Sequence, residues 1–278
     1  MDLFTHHSHG WLVGLVISLL ITGSIAGTLA GMLGVGGGIV IVPVLYHLFT
    51  LLGIDEAVRM HLAVGTSLAT IVPTSIMSSR AHRKRGSLDI TLIKSLLPSV
   101  IVGVLAGALA SRYLNGDVLT SIFATVALVV ALNMAFKTDG FALGDGLPGR
   151  FGTALMGGSI GGLSTLMGIG GGTLSVPILN ALRVPMHTAV GTGAMLGMFI
   201  SFPGAIAFVI NGIGVAERPP ASLGYVNLLG MALIVPATIA TTGLGVKLAH
   251  SINARRLRQV FAIFLALTSL RMFYKLIT

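Results

Sequence analysis

Apolar runs alternate with short polar loops along almost the whole chain. The first half reads as an apolar helix over about 11–33 and a shorter apolar piece over about 39–52. Three longer runs follow, over about 57–79, 90–112 and 118–136. The second half has the same order: about 151–167, 173–181, 187–210, 223–249 and 257–277. A bilayer-spanning helix needs about 20 apolar residues, so each half predicts three spans beside its paired shorter pieces. Residues 137–149, KTDGFALGDGLPG, read as a polar, glycine-rich linker.

The two halves are copies of one unit. GTLAGMLGVGGGIVIVP at 27–43 recurs as GGLSTLMGIGGGTLSVP at 161–177. Matches in register include Gly36, Gly37, Gly38 and Pro43 with Gly170, Gly171, Gly172 and Pro177. A second block, Met60-His61-x-Ala63-Val64-Gly65-Thr66, returns as Met186-His187-x-Ala189-Val190-Gly191-Thr192. Pro98, Gly107 and Asn115 then match Pro236, Gly245 and Asn253. The predicted fold is therefore an all-α polytopic membrane protein of two repeats, 1–136 and 150–278, in one membrane domain. Each repeat is a Gly-broken helical hairpin plus three spans.

Three spans per unit is odd, so the second unit enters from the opposite face and the repeats are inverted. Loop charge sets the orientation. With Arg80, Arg83, Lys84 and Arg85 in the cytoplasm, twelve of the 17 Lys and Arg residues fall on that side and five on the other. Both termini are then outside. The start of the chain has no Lys or Arg before its first apolar run, which predicts a retained first helix rather than a cleaved signal.

Composition narrows the class further. Only 9% of residues are charged, against about 25% in a soluble domain. The net charge of +9 lies in loops without interleaved aromatic residues, so topology bias explains it and nucleic acid is not an expected partner. There is no cysteine for thiolate chemistry. All eight acids lie in loops or at run ends, which removes the buried carboxylates of an intramembrane protease or a carboxylate-coupled cation carrier. No Ser/His/Asp set or His-x-x-Glu-His motif appears. His6, His7 and His9 read as a solvated tail, so neither metal nor cofactor is expected, and the chain is not read as an enzyme.

The glycine breaks are the leading site. Backbone at membrane depth leaves the helix only where protein or water satisfies it, and interrupted helices in paired repeats mark transporter binding sites. Gly36, Gly37, Gly38, Gly170, Gly171 and Gly172 permit such breaks. The helix that follows each break offers unpaired N–H groups to an anion. Close helix packing through small residues is the competing explanation. Thr66, Ser67 and Thr192 would add hydroxyl donors, although such groups also bond back to their own helix. His61 and His187 are candidates for proton coupling or, alternatively, interfacial residues at helix starts.

At these residues the chain resembles the sulfite exporter TauE/SafE family of permeases. GMLGVGGGIVIVP, AVGTSL at 63–68, GIGGGTLSVP and AVGTG at 189–193 are similar to that family's two signature blocks, in order along essentially the whole chain. The second block has Gly193 and Ala194 where the first has Ser67 and Leu68, so only Thr192 carries over there. The resemblance implies an inner-membrane permease that exports sulfite, an organosulfonate or a related organosulfur acid. The expected partners are that small anion and the lipid bilayer, with a homodimer left open. A passive small-anion channel and a membrane sensor are the alternatives.

Overall fold

Among the described residues of the computed structural model (9–34, 36–136, 144, 146–248 and 254–277), the chain forms ten helices and one short hairpin. The first half contains α1 (His9–Leu33), α2 (Gly38–Leu51), α3 (Glu56–Lys84), α4 (Ile90–Ser111) and α5 (Gly116–Phe136). The second contains α6 (Arg150–Met167), α7 (Gly172–Ala181), α8 (Met186–Gly212), the hairpin β1 (Ser222–Leu223) and β2 (Val226–Asn227), α9 (Leu228–Leu248) and α10 (Ala254–Ile277). Most of the expected linker lies outside the described residues.

Short polar side chains start several helices. Asp55 accepts the N–H of Ala57, Asp89 that of Leu92, Asn115 that of Val118 and Asn227 that of Gly230, each at 2.8–2.9 Å. Two of the acids kept out of the apolar runs therefore serve as caps. The cap at Asn227 also corrects the sequence reading. The run expected over 223–249 begins as a helix only at Leu228, because Ser222 pairs with Asn227 and Leu223 with Val226 across a turn at Gly224, where φ is +56°.

Among the described residues, six helices are long and apolar enough to cross a bilayer: α1, α3, α4, α5, α8 and α9. That set differs from the expected one. α1 joins the expected runs, while α10 (Ala254–Ile277) covers the last of them, 257–277. α2 has 14 residues and α7 only 10, about 21 and 15 Å of helix. α2 runs back beside α1, since Leu48 and Leu52 share a cavity lining with Leu15 and Leu19. The first hairpin thus returns to the side from which it entered.

The helices pack in matched sets. The main interfaces are α1 with α9, α4 with α6, α3 with α8, and α5 with α10. Smaller ones join α3 to α9, α4 to α8, α2 to α3 and α7 to α8. Exchanging each element of one half for its counterpart in the other reproduces the same set. Glycines allow the close approaches: Gly23 lies against Ile234 and Gly27 against Thr238, while Gly157 lies against Leu96 and Gly161 against Val100. At the centre α3 and α8 run antiparallel, with Gly65 beside Phe208, Leu68 beside Gly204 and Ser75 beside Gly197. Outward stripes such as Val102, Leu105 and Leu109 are exposed at helical spacing, as a lipid-covered face requires.

Candidate functional site

Both glycine runs interrupt helices in the protein interior. In the first, Gly34, Gly36 and Gly37 have φ of 65, 74 and 80°, angles that a Cβ disfavours. α1 ends before them and α2 starts at Gly38. In the second, Gly168 closes α6 with φ 65°, and α7 starts at Gly172. The first N–H groups of α2 and α7 have no carbonyl within their own helix to bond.

The two breaks touch. A Cβ on Gly36 would stand 3.3 Å from the Cα of Gly170, and one on Gly38 would stand 2.5 Å from the Gly168 carbonyl oxygen. Each break is also wedged against the long central helix of the other half. Gly34 abuts Val190 of α8, and Gly168 abuts Val64 of α3. Gly36 and Gly38 of the first break therefore meet Gly168 and Gly170 of the second, where two helix N-termini come together.

The hydroxyls differ in their bonding. Ser67 donates to the Gly168 carbonyl at 2.6 Å, so its hydrogen holds the second break in position. Thr66 accepts the N–H of Asn227 at 2.8 Å. Thr192, its counterpart, is fully buried and its Oγ1 has no hydrogen-bond partner. Sequence reading missed a further set in the same condition: Ser75, Ser164, Thr173, Ser175 and Ser201 are buried with unpartnered hydroxyls. A signal for two of them was present. Ser75 and Ser201 each lie nine residues beyond the matched Thr66 and Thr192.

The histidines are not brought together. His61 is buried near the start of α3, with Nε2 3.2 Å from the Ser111 carbonyl and 3.1 Å from that of Leu114, and its ring stacks 4.8 Å from Tyr225. It anchors the end of α4, about 21 Å of helix before Ser75. His187 is exposed at the start of α8, which runs the opposite way. Burial also raises the Tyr225 phenol above its ordinary pKa.

Two clasps join the halves at opposite ends of the central helices. Arg85 donates to the Val246 carbonyl at 2.7 Å, at the end of α9. Asn211 donates to the Ala108 carbonyl at 2.9 Å and to Ser111 Oγ at 3.1 Å, at the end of α4. Glu56 bridges Arg59 and Lys275 at 3.0 and 3.2 Å beside the start of α3. No cluster of His, Cys, Asp or Glu that could hold a metal occurs among the described residues. Backbone N–H groups and hydroxyls without a carboxylate make an interior suited to negative charge.

The family model for sulfite exporter TauE/SafE matches residues 19–272, which takes in both breaks and both central helices. The chain belongs to the TauE/SafE family. It is a multi-pass membrane transporter, and similar proteins are described in the same way. A probable membrane transporter protein of Haemophilus influenzae is 33% identical over 88% of this chain and 92% of its own length. Others of that description are 28% identical in Methanocaldococcus jannaschii and 27% identical in Bacillus subtilis, each over 87–88% of this chain and 89–92% of their own. No solved structure matches the chain.

Proposed function

We propose that this TauE/SafE protein is a secondary transporter that exports a small sulfur-containing anion: sulfite, an organosulfonate or a related organosulfur acid. The observation that carries the reading is the contact of Gly36 with Gly170, where the N-termini of α2 and α7 meet in an interior without carboxylates. Aligned N–H groups at those termini attract an anion. The protein acts in a bacterial inner membrane, with both termini outside the cytoplasm. Its halves, 1–136 and 150–278, are inverted repeats whose relative motion exposes the breaks to each face in turn. Contact between the breaks closes the centre, which favours a carrier over an open channel.

Uptake of labelled sulfite or of a labelled sulfonate into proteoliposomes tests this. Saturable flux and counterflow are expected. Absence of flux for every such anion rejects the reading, and unitary currents would favour the channel instead.

A further inference from the structure

Ser75 is fully buried on α3 and its Oγ has no hydrogen-bond partner. Its neighbours on the same helix behave differently. Thr70, Thr74 and Ser79 each donate to a carbonyl three or four residues back. An unpartnered hydroxyl in a protein interior carries a desolvation penalty, so its presence calls for an occupant.

The surroundings of that oxygen are built of glycine. The point where a Cβ on Gly197 would stand is 2.8 Å from Ser75 Oγ and 3.5 Å from the nitrogen of Gly171. The corresponding point on Gly36 is 3.6 Å from the same Oγ. Gly171 precedes α7, so its N–H lies at a positive helix end with no partner inside the helix. One hydroxyl and one amide thus converge where Gly197 has no side chain.

We propose that one oxygen of the transported anion is received at the face of Gly197, between the Ser75 hydroxyl and the Gly171 N–H. The inference rests on the transporter reading above and names residues within that site. The oxygen enters as α7 draws back from α8. Among the described residues the second half offers no matching seat. Ser201 holds the matching place in the second half, but the counterpart of Gly197 is Ile71, whose side chain is buried against Gly36 and Gly38.

Initial rates of labelled sulfite and methanesulfonate uptake into proteoliposomes, measured across concentration, test the assignment. Ser75→Ala is expected to raise KM roughly tenfold or more, the effect of losing a hydrogen bond to a charged group, with a smaller change in kcat. Ser79→Ala, which removes a hydroxyl already bonded within its own helix, should leave KM unchanged. Gly197→Ala should abolish high-affinity uptake. Because its methyl would crowd Ser75 Oγ, the double variant Ser75→Ala/Gly197→Ala is measured beside it; it relieves the collision and should fold yet stay low in affinity.

Wild-type KM in Ser75→Ala, in a protein that transports, overturns this inference alone. If the wild type carries neither anion, thermal unfolding replaces flux: stabilisation by sulfite in the wild type and its loss in Ser75→Ala support the seat, while equal stabilisation in both overturns it. A wild type that neither transports nor is stabilised overturns the sulfur-anion reading, and the seat with it.

Discussion

The Ser67 hydroxyl donates a 2.6 Å hydrogen bond to the carbonyl of Gly168, joining the central helix of one half to the glycine break of the other. The second half has no equivalent bond, because Gly193 stands where the first half has Ser67. The bond is buried, so water cannot replace it. Ser67→Ala should lower stability by about 1–2 kcal/mol, measured by thermal unfolding in detergent. An unchanged unfolding temperature would show that the break does not depend on this bond.

Thr66 and Thr192 occupy matching places but differ in their bonding. Thr66→Val would leave the buried N–H of Asn227 without its acceptor and should cost about 1–3 kcal/mol. Thr192→Val removes a buried oxygen that bonds nothing in the protein, so stability should hold or rise, by up to about 1–3 kcal/mol. Transport should nevertheless fall if that hydroxyl meets the anion. Equal destabilisation in the two variants, or Thr192→Val with full transport, would contradict this division.

Glycines in the helix contacts are not interchangeable with those on open faces. A Cβ on Gly161 would run into the Val100 carbonyl, whereas one on Gly243 would meet nothing within 4 Å. Gly161→Ala should separate α4 from α6 and cost about 1–3 kcal/mol or more. Gly243→Ala in α9 should stabilise by up to about 1 kcal/mol through helix propensity. Comparing folded yield and unfolding temperature of the two variants decides the point.

The clasps at Arg85 and Asn211 lie at opposite ends of the antiparallel central pair, so each should hold one face shut. The chain has no cysteine, so single reporters can be placed without background. Arg85→Ala should speed maleimide labelling of Ser78→Cys without affecting Gly204→Cys, and Asn211→Ala should do the reverse. Identical labelling rates with and without the clasps would remove them as gates.

Much of the site was legible because duplication marks positions regardless of structure. Gly36 with Gly170, Thr66 with Thr192 and His61 with His187 were all paired by spacing alone. Their partners were not. Gly168 receives the Ser67 hydroxyl from a residue about a hundred positions away, and neither sequence neighbourhood signals the other. Ser75 looked like any serine on a membrane helix until Gly197 of the opposing helix was seen against it.

Transfer free energy is a local property, summed residue by residue along a helix, so the chain by itself determined its membrane residence, its approximate runs and the places where helices could break. Direct contacts between the halves depend on which small residues face each other across helices and on hydrogen bonds between distant segments. Tertiary structure therefore decided that the first break turns back beside α1, that residues 222–227 form a hairpin before α9, and that Gly36 meets Gly170 at the centre.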